Sequence, residues 1–201
     1  MKKVALLGVI ALSITSSVMA DNFTGFALGA EVGSGKHNFQ ILNEDFEVSG
    51  SKAKNLSVFA RYGFDFAGNF VGMPEIKLGT GGSKTQNKWG ETVSKEKYNF
   101  SIAYLQGYRI TDSILPYVKI GAKISSFDVN EEAIQRAIGS YRRVEIEGSS
   151  LFGVTYGGGV KFAFNENVEL GIEYTKTKLR NINSDVKAQS NNIGFNVAYR
   201  F

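Results

Sequence analysis

The residues best suited to acid–base chemistry surround the only histidine of the chain, His37. Serine and carboxylate side chains lie near it in sequence, at Ser34, Glu44, Asp45 and Ser49. Such groups can activate a nucleophile, but only when folding brings them within hydrogen-bond distance of one another. No motif fixes a partner for His37. We therefore expect no catalytic residues, and a protein that is not an enzyme.

The chain contains few residues of the types that bind metals or cofactors. There is no cysteine and only one histidine, so the usual ligands of a transition metal are almost missing. The acidic or polar segments 130–132 and 181–185 lack the ordered ligand spacing of a calcium loop. The net charge is only +4, and no basic stripe with interleaved aromatic residues occurs. We expect no metal, no cofactor and no nucleic-acid partner.

A second set of charged residues alternates with apolar ones along the chain. This alternation would point the charges into the interior of a β-barrel and the apolar residues outward. Opposite charges enclosed in this way can pair, whereas unpaired ones would be costly. Asp65 and Glu169 follow the same alternation, while Glu96 and Lys176 are predicted to be exceptions on the outward face, near the loops. The predicted interior charge network consists of Glu31, Arg61, Glu75, Lys77, Lys119, Lys123, Lys161, Glu173 and Arg200.

Eight alternating segments must position these charges. On each segment, one face is apolar or aromatic and the other is small, polar or charged, which is typical of a strand between two environments. Each is at least as long as the ~9–11 residues that a tilted strand needs to cross a membrane. The predicted strands are 22–33, 55–66, 70–81, 95–108, 114–126, 149–164, 168–178 and 191–201.

The gaps between these strands alternate in length. The gaps at 67–69, 109–113 and 165–167 are short, whereas those at 34–54, 82–94, 127–148 and 179–187 are long. Short turns on one side and long loops on the other are typical of a bacterial outer-membrane barrel. The sequence therefore predicts an all-β, up-and-down antiparallel transmembrane β-barrel of eight strands, with its long loops outside the cell.

The amino terminus reads as a secretory signal peptide. Lys2 and Lys3 precede an apolar run at 4–14, which is shorter than the ~20 residues of a membrane-spanning helix. Small residues then precede a cleavage site between Ala20 and Asp21. We expect a signal peptide at 1–20 and one barrel domain at 21–201.

The last strand alternates apolar residues with small or polar ones and ends on a bare aromatic residue. A soluble β-sandwich would also explain this strand alone, but not the sorted gaps. Taken with the signal peptide and all eight strands, the chain resembles the small eight-stranded outer-membrane barrels of the OmpX, opacity-protein and OmpA transmembrane-domain kind. This resemblance implies the bacterial outer membrane as location. It also implies that Tyr199 and Phe201 form an insertion signal for the barrel-insertion machinery.

The interior of an eight-stranded barrel is only wide enough to be filled by side chains. We therefore expect a closed network of ion pairs, and keep a narrow porin-like channel for ions or small solutes as the alternative. Aromatic residues near both ends, among them Phe23 at the turn end, are predicted to form two belts at the membrane interfaces. A lipid A-modifying enzyme is a third alternative, because His37 loosely resembles the loop histidine of a lipid A acyltransferase. The acyltransferase family also has an amino-terminal amphipathic helix, and we expect no room for one between the predicted cleavage site and the first strand.

The long loops are predicted to make the external contacts. The resemblance implies a role in envelope structure and in surface contact or adhesion. We expect the protein to be a monomer in contact with outer-membrane lipid and lipopolysaccharide, and the loops to reach host surface molecules. Aromatic and basic residues at the loop tips are the predicted contact points: Lys88, Trp89, Tyr141, Arg142 and Arg143.

Overall fold

The computed structural model describes residues 22–41, 46–49, 53–81, 84–86, 92–129, 150–180 and 186–201. They form ten strands, of which eight are long and two are short. The predicted signal peptide and its cleavage site, Ala20 and Asp21, lie outside the described residues. The strands are β1 (Gly25–Ile41), β2 (Phe46–Ser49), β3 (Ala53–Ala67), β4 (Phe70–Thr80), β5 (Lys84–Gln86), β6 (Thr92–Tyr108), β7 (Ile114–Val129), β8 (Ser150–Ala163), β9 (Val168–Arg180) and β10 (Val186–Arg200).

The eight long strands close into an antiparallel barrel. Its ring order is β1, β3, β4, β6, β7, β8, β9 and β10, and β10 pairs with β1 to close it. This seam runs from Ala27 opposite Arg200 to Ile41 opposite Val186. Closure leaves no edge strand along the ring, as a lipid environment requires. The predicted eight-stranded up-and-down barrel is thereby confirmed.

The barrel has two different ends. We call the end with the short turns between β3 and β4, β6 and β7, and β8 and β9 the turn end, and the opposite end the loop end. The turn end also holds the start of β1 and the end of β10. One tight turn there places Gly68 at a φ of 55°, a conformation that glycine adopts without the steric penalty of a side chain.

The alternation of side chains follows the prediction. Large apolar side chains line the outward face of every long strand, and their exposure is that of a lipid-facing belt; Val118, Ile120, Ile193 and Ile172 are each more than half exposed. Most charged residues on the intervening positions are buried inside the barrel. Among the described residues, no helix is long and apolar enough to cross a membrane.

The strands extend further toward the loop end than predicted. β1 continues to Ile41, and β2 pairs with it through residues that were expected to lie in the first long loop. β5 likewise pairs with β6 inside the second predicted loop. These segments escaped the prediction because polar residues beyond the apolar belt do not alternate, while backbone pairing still continues. His37 therefore belongs to β1, opposite Ser190 of β10, and not to a loop.

Candidate functional site

A network of ion pairs crosses the barrel at middle height. Lys77 of β4 places its Nζ 2.7 Å from Glu31 Oε2 of β1 and 3.0 Å from Glu173 Oε1 of β9. β4 and β9 are four positions apart in the ring of eight, so the contact between Lys77 and Glu173 spans the full diameter. The two carboxylates are about 3% exposed, so the bridge is buried inside the barrel.

A second lysine shares the carboxylate of Glu173 and links it to that of Glu75. Lys119 of β7 places its Nζ 2.8 Å from both Glu75 Oε1 and Glu173 Oε1. The hydroxyl of Tyr117 donates a hydrogen bond of 2.9 Å to Glu173 Oε2. Glu173 thus accepts from three donors, and a buried carboxylate with several charge-assisted hydrogen bonds holds its surroundings in one arrangement.

Nearer the turn end, three cations gather around one carboxylate. Glu169 contacts Arg61, lies 2.8 Å from Arg200 Nη2 and lies 3.4 Å from Lys161 Nζ. Lys161 also sits 4.9 Å from the centre of the Tyr117 ring, a distance suited to a cation–π contact. Arg61 connects the ion pairs around Glu169 with those at middle height, because it also contacts Glu75 at 3.5 Å.

An apolar floor closes the barrel beneath these charges. Its ring is Phe23, Val71, Met73, Ala103, Leu105, Leu115, Tyr117 and Ala163, all at most 5% exposed. Phe23 was predicted to belong to the outward aromatic belt, and that prediction is wrong. Its φ of 75°, rare for a bulky residue, turns the chain so that the ring enters the barrel below the Arg200 guanidinium, 5.5 Å away.

Arg109 fixes the segment that carries this phenylalanine. Its Nη2 donates to the carbonyl of Asn22 at 2.9 Å and to Asp65 Oδ1 at 3.1 Å. Asp65, which was predicted to face the interior, therefore lies at the rim, where its side chain is half exposed. Gly63 makes the close approach possible, because a Cβ there would collide with the carbonyl oxygen of Phe23.

The upper half of the interior is polar and less filled. Hydroxyl and amide side chains line it, including Thr155 and Thr177, whose hydroxyls lie 3.1 Å apart. The free space among them is about 50 Å³, enough for a few water molecules. Lys123 contacts Glu96 at 3.3 Å in this half. Glu96 was predicted to face outward, but a bulge between Glu96 and Tyr98 reverses the alternation and buries it.

Glycines give the long side chains their space. A Cβ on Gly194 would meet the carboxyl group of Glu31 at 2.6 Å, and one on Gly159 would meet the Tyr117 hydroxyl at 2.8 Å. Both distances are too short for any real contact, so these positions must be small for the ion pairs to form.

The structure thus brings the predicted network together, with differences in detail. Glu31, Arg61, Glu75, Lys77, Lys119, Lys161, Glu173 and Arg200 lie in one connected cluster, Glu169 joins it as its lower acceptor, and Lys123 pairs separately with Glu96. Tyr117 and Phe23 were missed. Tyr117 is two residues from Lys119 on the same strand, so its inward position could have been predicted. Nothing in the sequence indicates the backbone conformation of Phe23.

Of the other predicted sites, the structure describes some and not others. Tyr199 and Phe201 lie at the turn end on the outward face, with ring centres 5.1 Å apart. The loop residues Lys88, Trp89, Tyr141, Arg142 and Arg143 lie outside the described residues. Within the described part of the chain, no group of three or more histidine, cysteine or acidic side chains is arranged to hold a metal ion.

Comparisons with known proteins agree with this architecture. Residues 4–201 match the family model described as outer membrane protein beta-barrel domain. The fold is similar to neisserial surface protein A, at 15% identity over 89% of this chain and 98% of that one, with a TM-score of 0.57. It is also similar to the outer membrane protein OprG from Pseudomonas aeruginosa, at 13% identity over 90% and 98% of the chains, with a TM-score of 0.50. No curated protein matches the sequence.

Proposed function

Because this chain belongs to the outer membrane protein beta-barrel domain family and lies in the bacterial outer membrane, we propose that it is a closed scaffold that holds surface hairpins at the cell exterior. It acts in envelope structure and surface contact, and it neither conducts solutes nor catalyses a reaction. The observation that carries the proposal is the contact between Lys77 and Glu173, which joins opposite walls of the barrel at middle height.

Three layers support a closed interior. The apolar floor excludes water at the turn end, and the ion pairs fill the middle. An ion crossing this region would have to separate buried pairs, which is costly in a low-dielectric interior. The space of about 50 Å³ in the upper half accommodates only a few water molecules.

Single-protein recordings in planar bilayers test the closed interior. We expect no steady conductance from the full-length chain. The matched variants are Lys119→Met, which removes a central cation, and Lys176→Met, which removes an outward-facing one. A steady conductance in the unmodified protein that changes with Lys119→Met but not with Lys176→Met would contradict the proposal and favour the porin-like channel.

The paired segments beyond the apolar belt support the contact role. β1 and β10 stay paired up to Ile41 and Val186, and β2 and β5 extend the neighbouring hairpins. Strands that protrude in this way offer backbone and side-chain groups to a partner. Deletion of residues 130–143 is expected to lower whole-cell adherence. Unchanged adherence and serum survival would count against that segment, and a heat-modifiability gel would verify that the shortened barrel still folds.

A further inference from the structure

Cations cluster on the outward face of four neighbouring strands at the loop end. β9, β10, β1 and β3 are consecutive in the ring, and their outward positions beyond the apolar belt carry positive charge. We call this set the basic sector. Its members are Lys36, Lys54, Lys176, Lys178, Arg180 and Lys187.

The register places these charges side by side. Arg180 is directly opposite Lys187, while Lys176 and Lys36 flank the same residue, Asn191. Adjacent strands lie only about 4.8 Å apart, so like charges at such positions repel one another. Among the described side chains on this outward face, no carboxylate offsets them. An arrangement of this kind is favourable when an external anion binds to it.

The opposite side of the barrel differs. On β6 and β7 the outward-facing Lys97 places its Nζ 2.8 Å from Asp128 Oδ1, so an internal partner neutralises that cation. Among the described outward side chains at the loop end, positive charge without a carboxylate partner is therefore concentrated in the basic sector.

An apolar groove lies directly below the basic sector. It is an open depression of about 840 Å³ and crosses five strands, from Ile172 of β9 to Thr80 of β4. Val32 and Ser34 of β1 line it together with the larger Ile193 and Phe195 of β10. Lys54 borders the groove at its upper side, so positive charge and apolar surface meet there.

We propose that the basic sector and this groove together bind one phosphorylated, acylated glycolipid of the outer leaflet, the lipid A part of lipopolysaccharide. Its phosphate groups contact the cations and one of its acyl chains lies in the groove. Charge complementarity selects this occupant, since each lysine or arginine near an anionic membrane surface adds to binding. The lipid contact expected from the sequence would then have a defined place on the barrel.

Lipid retention by the full-length protein tests the proposal. The chain is released from mixed micelles that contain diphosphoryl lipid A and phosphatidylcholine, and native mass spectrometry measures the retained lipid. We expect selective retention of lipid A. The double variant Lys176→Gln and Lys178→Gln should lower its apparent affinity roughly tenfold or more, because two phosphate contacts are lost.

A second charge pair provides the matched control. Lys95→Gln and Lys97→Gln have the same spacing and charge change on β6, outside the basic sector, and should leave retention unchanged. Val32→Trp fills the groove without any change in charge and should also lower retention. A heat-modifiability gel verifies the fold of each variant.

Three results would overturn the inference: equal losses in the two charge pairs, equal retention of lipid A and phosphatidylcholine, or full retention by Val32→Trp. None of them depends on conductance, so a leaky barrel could still bind the lipid and a closed one could fail to do so.

Discussion

The two halves of the barrel interior use their inward positions differently. The half at the turn end contains apolar side chains and ion pairs with almost no exposure. The half at the loop end is lined mostly by hydroxyl and amide groups around a small free space, with one smaller apolar cluster that includes Leu179. Side chains therefore fill the interior most completely at the turn end, where the barrel must exclude water. Polar groups that face water need no fixed partner, so the upper half tolerates looser packing.

The largest expected effect comes from the centre of the lower network. Glu173→Gln removes the carboxylate that Lys77, Lys119 and Tyr117 share, and leaves two buried cations with fewer partners. The free energy of unfolding should fall by about 3–5 kcal/mol. Equilibrium urea titration of the protein in lipid vesicles measures it. Glu166→Gln, on an exposed turn, is the control, and equal stability of the two variants would contradict the contrast.

A smaller loss is expected from the apolar floor. Leu105 is fully buried there, so Leu105→Ala leaves a cavity that the surrounding ion pairs cannot fill. We expect a cost of about 3 kcal/mol in the same titration. Leu179→Ala, in the smaller apolar cluster with Phe127, Leu151 and Ala188, should cost less. The reverse order would show that the upper half is the better packed one.

The smallest effect should come from the polar upper half. Thr177→Ala removes the hydrogen bond to Thr155, but water in the adjacent space can replace the lost partner. The expected change in the free energy of unfolding is less than about 1 kcal/mol. If Thr177→Ala lowered the free energy of unfolding as much as Glu173→Gln, the upper half would not be more loosely packed than the lower one.

Alternation in the sequence predicts most of the fold. It identifies the eight long strands, their outward belt and the inward position of nearly every charge, because the two faces of each strand meet different environments. It does not predict which charges pair. Lys77 reaches Glu173 across the ring only through the closure and strand order of the barrel, and neither can be read from one strand.

The errors have separate physical causes. Glu96 was placed on the wrong face because a bulge reverses the alternation, and Phe23 because a left-handed backbone conformation directs its ring inward. The end of β1 was set too early and the start of β10 too late, since polar residues beyond the membrane carry no alternating signal while their backbone groups still pair.

The seam between β1 and β10 also has a consequence for assembly. If β10 slid by one residue, Arg200 and Asn196 would turn toward lipid while Phe195 and Val197 turned inward. A charged side chain on the lipid face costs about 0–1 kcal/mol near the interface, where Arg200 lies, and the buried ion pair of Arg200 with Glu169 would be lost as well. The interior charges therefore favour the correct register when the barrel closes. A shifted seam would be unfavourable both on its lipid-facing side and on its interior side.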